Sequence, residues 1–156
     1  MTIRTALIAL IALAAAGCAP RRIPGTNIES TTDSRAVYDV VQAYRQAMEK
    51  RDAAAVLALV APTYFDTGGT PDPADDLDRA GLEAALAKEL PRAEGVKLDF
   101  TIRKIEIAGD EAQAELFYDS YYRVQTPSRV VPRRDSDVHR MRLQKIGGVW
   151  KIASGL

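Results

Sequence analysis

The hydrophobic pattern of this chain changes period once. From Ser34 to Glu89 the apolar residues recur at helical spacing, and from Leu98 to Ser154 they alternate. Side chains repeat every ~3.6 residues around a helix and every ~2 along a strand, so the first half must bury its apolar face as helices and the second as sheet. Helices and strands segregated in this order predict an α+β domain rather than alternating βαβ units.

Val37, Val40, Val41, Tyr44, Ala47 and Met48 mark one buried face of a first helix, with Asp33 or Ser34 placed to cap it. Asp52 caps a shorter apolar helix, Ala53 to Val60, which Pro62 stops. Thr63 to Leu77 is rich in Gly, Pro and Asp and reads as irregular. Asp78 opens a third helix through Glu89, with Leu82, Ala85 and Leu86 inward and Pro91 beyond its end. In the second half Leu98, Phe100 and Ile102 alternate, then the phase slips to Ile105 and Ile107, which predicts a bulge near Arg103-Lys104. Gly109-Asp110 turns the chain into a strand whose Ala112, Ala114, Leu116, Tyr118 and Tyr122 share a face. Gln125 to Asp135 holds two prolines and three arginines and is expected to be an exposed, solvated loop. His139, Met141 and Leu143 alternate next, and Gly147-Gly148 makes a tight turn into Trp150 and Ile152. The whole predicts a four-stranded antiparallel meander curved around the long helix.

These residues resemble the NTF2-like (SnoaL-like) superfamily. Val41-Gln42-Ala43-Tyr44-Arg45, Lys50-Arg51-Asp52-Ala53-Ala54 and Leu59-Val60-Ala61-Pro62 are similar to its opening helices. His139 to Leu143 and Gly148 to Ile152 are similar to its closing hairpin. The resemblance spans Ser34 to Leu156 and implies an NTF2-like/cystatin-like cone, with N-terminal helices packed on a curved antiparallel sheet around a pocket. Some members are isomerases, dehydratases or cyclases, and many others are binding or assembly modules, so the fold alone does not choose.

The first residues read as an address. Arg4 precedes an uncharged run from Thr5 to Ala16. Such a run rises only ~18 Å as a helix, short of the ~30 Å hydrocarbon core, so residues 1–17 read as a signal peptide and not a membrane span. Leu13-Ala14-Ala15-Ala16-Gly17-Cys18 resembles the lipobox of bacterial lipoproteins, with Ala15 where Leu is commonest. The resemblance implies cleavage before Cys18, lipidation of its sulfur and anchorage in the cell envelope. Ala19 is similar to lipoproteins kept in the outer membrane of Gram-negative cells. An ordinary secretory signal that leaves Cys18 a free thiol is the alternative. Residues 18–33 are then expected to be the lipidated cysteine and a flexible tether, and 34–156 the domain.

Composition narrows the partners. Lys+Arg and Asp+Glu are 21 each, and losing Arg4 leaves one net negative charge, so nucleic acid is not an expected partner. A single Cys and a single His cannot build a Cys/His zinc site or an internal disulfide, and no cofactor is implied. Asp66, Asp72, Asp75, Asp76 and Asp78 lack EF-hand spacing and are expected to serve as caps and solvated charges rather than as a calcium site.

The strand phases place Tyr118, Tyr122 and His139 inward, with Tyr44 on the first helix, as a polar lining for a ligand pocket. A phenol and an imidazole in an apolar cavity are acid–base chemistry, with Asp66 the one carboxylate expected nearby. The structural alternative is that the phenols turn their rings to the core and their hydroxyls to the mouth. On the opposite face Phe117 and Tyr121 are candidates for an interface, which the resemblance implies for a homodimer. The favoured expectation is a lipid-anchored envelope protein whose domain binds a small ligand or an envelope protein without catalysis. The alternative is an isomerase- or dehydratase-type enzyme using His139, Tyr118, Tyr122 and Asp66.

Overall fold

The computed structural model describes residues 20–156; the expected signal peptide and Cys18 lie outside the described residues. Helix α1 (Thr32–Lys50) begins about two residues earlier than expected. Its N-cap is Thr31, whose side chain accepts the Ser34 N–H at 3.0 Å, while Ser34 Oγ accepts the Thr31 N–H at 2.9 Å. That reciprocal box uses Ser34 as the third helical residue and releases Asp33 for tertiary work. Asp33 accepts from Lys145 Nζ at 2.7 Å and Trp150 Nε1 at 3.0 Å, fastening the start of α1 to the closing hairpin.

Asp52 caps α2 (Ala53–Leu59) by accepting the Ala55 N–H, and Asp78 caps α3 (Arg79–Glu89) by accepting the Gly81 N–H. Between them Phe65–Asp66 (β1) pairs with Leu77–Asp78 (β2), closing the acidic segment into a small two-stranded loop. Three of its carboxylates bond within it: Asp66 accepts from Gly68 N, Asp72 from Ala74 N, and Asp75 from Thr70. Among the described residues no three acids, histidines or cysteines converge as metal ligands.

The sheet is an antiparallel meander in the order β3 (Ala93–Ala108), β4 (Glu111–Gln125), β5 (Val130–Ile146), β6 (Val149–Ser154). The predicted phase slip is a register shift between Ile102 and Lys104, with a second between Glu94 and Lys97. Such irregularities increase twist and bend the strand, curving the sheet around α1. The core gathers Val37 and Val41 of α1 with Leu116, Met141, Leu143, Trp150 and Ile152. A further tie joins the layers where the Ala61 N–H donates to Ile152 O at 2.8 Å.

Two expectations need correcting. Gln125 to Asp135 is not a loop: β5 starts at Val130, and Pro132 pairs in register with Arg123. β6 pairs with β5 only from Arg142 onward, so this part of β5 is a free edge, where a proline costs no ladder bond. The expected tether is also packed from Arg21. The Ile23 N–H donates to Ile28 O at 2.9 Å, and both isoleucines are buried in the core. Each such side chain stabilises by ~1.5–3 kcal/mol, which offsets part of the cost of ordering the segment around it. Among the described residues no helix is long and apolar enough to cross a membrane.

Candidate functional site

A cavity of about 450 Å³ lies between the C-terminal half of α1, the end of α3 and the concave face of the sheet. Its walls are largely carbon: Met48, Leu90, Val96, Phe100, Leu116 and Met141 among them. Tyr44, Tyr118, Tyr122 and His139, the polar lining expected from sequence, all border it. Strand phase explains this. Ala112, Ala114 and Leu116 are buried on the concave face, and the same alternation carries Tyr118 and Tyr122 outward to the wider, open end. Tyr44 stacks on Phe100 at 6.1 Å between ring centres, and Tyr118 meets His139 edge to face at 6.1 Å.

The polar groups are held in different ways. Tyr118 donates to Asp135 Oδ2 at 2.5 Å, a bond that, with partial burial, pushes the phenol up to about 12. Burial, and then the nearby Tyr118, push the Tyr44 phenol up to about 12 as well. Both are therefore neutral hydrogen-bond donors at physiological pH and not bases. Ser120 Oγ donates to the Asp135 carbonyl at 3.1 Å. His139 Nε2 is 2.6 Å from Gly155 O. A carbonyl can only accept, so this assigns the proton to Nε2 and leaves Nδ1 of the neutral ring as an acceptor. Every buried side-chain polar atom among the described residues has a partner. Nδ1, the Tyr44 hydroxyl and the Tyr122 hydroxyl, which have none, must therefore reach open space.

Asp66 does not line the cavity. One of its oxygens accepts the Gly68 N–H and the other the Gly155 N–H. The expected imidazole–carboxylate meeting is thus replaced by a relay through one glycine: Asp66 on its N–H, His139 on its carbonyl. Tyr64, pushed well up by burial, donates to Leu156 O at 3.4 Å and steadies the same tail. Phe117 and Tyr121 stand on the outer face of β4; Arg103 lies 5.5 Å over the Phe117 ring, and Tyr121 is 47% exposed.

Sequence reasoning missed Ser120, Asp135 and Leu156. Ser120 was available from the phase of Leu116, Tyr118 and Tyr122. Asp135 was hidden by the loop expectation, since only the pairing Ser120↔Asp135 brings it beside Tyr118. Leu156 lines the cavity beyond the last strand, where no period extends.

No protein-family profile matches the chain, and no curated protein sequence matches it. Solved structures do. A proposed dehydratase of the NTF2-like family from Streptomyces avermitilis is 18% identical, with a TM-score of 0.66 over 80% of this chain and 93% of that one. A ketosteroid isomerase-like protein from Erwinia carotovora atroseptica is 16% identical, with a TM-score of 0.65 over 81% and 95%. A hexachlorocyclohexane dehydrochlorinase (LinA) of type 2 is 13% identical, with a TM-score of 0.64 over 79% and 82%. The architecture is therefore the NTF2-like cone: helices on a curved antiparallel sheet that encloses a pocket.

Proposed function

We propose that the domain is a binding module that receives a small, mainly apolar ligand in the cone, held at the cell envelope by a lipid on Cys18. The observation that carries the binding reading is how the site's polar groups are spent. Tyr118 serves Asp135, His139 serves the Gly155 carbonyl and Asp66 serves the Gly155 N–H, so the expected His139–Asp66 pair is not formed. What remains open is the Tyr44 and Tyr122 hydroxyls and one imidazole nitrogen in an apolar wall, a pattern that orients a ligand. Anchorage rests on the lipobox-like approach to Cys18 alone.

A second reading has its own support. Nδ1 of His139, a cavity-lining residue, has no partner among the described residues, and the similar solved structures include proteins named as a dehydratase, an isomerase-like protein and a dehydrochlorinase. Outer-face pairing of two copies through Phe117 and Tyr121 is compatible with either. Fluorescence titration with an apolar naphthalene dye separates a filled cone from a usable one. The dye should bind the wild type and lose binding in Val124→Trp, which narrows the mouth. A wild type that takes up no dye would count against the cavity as a ligand site.

A further inference from the structure

A cationic side chain stands beside the cavity lining. Arg133 pairs in register with Tyr122, and residues paired in register share a face, so Arg133 stands on the concave side beside a cavity-lining phenol. Among the described residues it has no hydrogen-bond or ion-pair partner, whereas its neighbours Arg123 and Arg134 are paired with Glu94 and Asp119. Arg51, in left-handed backbone at the end of α1, donates to the carbonyl of the cavity-lining Ala93 at 2.9 Å and has no ion-pair partner among the described residues.

Glu89 at the rim is paired, 3.4 Å from Lys88 and 3.6 Å from Arg92, and Asp135 accepts a hydrogen bond from the Tyr118 hydroxyl. Asp137 shares the concave face but sits four residues from Arg133, about 13 Å along an extended strand. Arg133 and Arg51 thus have no ion-pair partner among the described residues, and Arg133 stands beside the unpartnered Tyr122 hydroxyl. Guanidinium and phenol donors together suit an acidic head group.

We propose that the ligand is a single-chain amphiphile with a carboxylate or phosphate-monoester head, its apolar body against Phe100, Leu116 and Met141 and its head on Arg133 and Tyr122. This deepens the binding reading above and rests on it. A cavity of about 450 Å³ accommodates one chain and not the two chains of a bilayer lipid.

The test compares a dansyl-labelled undecanoic acid with its methyl ester by fluorescence titration of the purified protein. The acid should bind roughly fivefold more tightly than the ester at low salt, with the ratio shrinking as salt screens the exposed pair. Arg133→Gln should bring the ratio near one without changing ester affinity, and Arg133→Lys should keep part of it. Equal binding of acid and ester by the wild type, or a preference that survives Arg133→Gln, overturns the head-group assignment while leaving the cavity reading intact. Failure of both probes to bind overturns the two together. Capture on anionic vesicles that Arg133→Gln abolishes, without any preference for the soluble acid, would assign Arg133 to a membrane contact and overturn the proposal.

Discussion

The imidazole of His139 and the backbone of Gly155 form one unit: the ring donates to the glycine carbonyl at 2.6 Å, and Asp66 holds the same residue's N–H. This arrangement positions the tail that carries Leu156 into the cavity wall, and it decides which nitrogen of His139 faces open space. A structural latch therefore occupies the residues from which an acid–base pair would otherwise be built.

Gly155→Ala should break that latch. Gly155 has φ +90, and a Cβ there would lie 3.0 Å from Met141 Cα and closer still to the Arg140 carbonyl, both backbone. Neither can yield without moving β5. The expected loss is about 2 kcal/mol or more, from left-handed strain and the clash together. Urea denaturation measures it; an unchanged midpoint would mean that the tail is not bound as described.

Much of this fold is legible because its signals are local. Asp52 and Asp78 announce their helices by chemistry confined to the next three residues, and the slip between Ile102 and Ile105 announces the bulge. The failures are tertiary. Pro132 reads as a loop residue until β5 is seen to lack a partner on that side, and Ile23 and Ile28 read as a tether because two apolar residues make no period. The lining of Tyr44, Tyr118, Tyr122 and His139 follows from phase, but the Asp66–Gly155–His139 relay joins segments far apart in sequence, and no spacing encodes it.

Asp33 gives the protein a defined sensitivity to acid. Its hydrogen bonds from Lys145 and Trp150 hold the carboxyl below the ordinary carboxylate range. A lowered folded pKa contributes stability that is present above the unfolded value of ~3.9 and is lost as pH falls through it toward the folded value. Asp33→Asn should be less stable than the wild type at neutral pH, with the two curves converging as the acid range is entered. Denaturation midpoints measured across pH check this, and parallel curves would remove Asp33 as a cause.

At the alkaline end the cavity phenols act in the opposite sense. Tyr44 and Tyr118 are both raised to about 12, the first mainly by burial and the second mainly by its bond to Asp135. Unfolded tyrosine ionises near ~10, so the unfolded chain sheds these protons first and stability should fall as pH rises from about 10 to about 12. Asp135→Asn should lower the Tyr118 value in an ultraviolet titration and leave the Tyr44 value in place. A Tyr118 unaffected by that change would show that the short bond to Asp135 is not its main perturbation.

Cys18→Ser tests the anchor. One acyl chain binds a membrane only weakly and reversibly, so firm attachment requires the several chains of a lipoprotein cysteine. The wild type should sediment with membranes and release only to detergent, and the serine variant should not. An unmodified Cys18 at the start of the mature protein, found by mass spectrometry, would leave an ordinary secreted domain.

His139 separates binding from catalysis. Its ring borders the cavity, and its Nε2 is tied to Gly155 while Nδ1 has no partner among the described residues. If the site only binds, His139→Gln, which keeps a polar side chain facing Gly155, should change probe affinity by no more than about threefold, within the ~1 kcal/mol of an ordinary hydrogen bond. If Nδ1 is a general base, the same variant should retain ligand yet lose about 10²-fold or more in turnover, because a positioned proton acceptor contributes on that scale. Turnover of any substrate by the wild type that vanishes in His139→Gln while binding persists would replace the binding module with an enzyme. Equal behaviour of the two proteins in both assays would leave the imidazole as the support of the tail and nothing more.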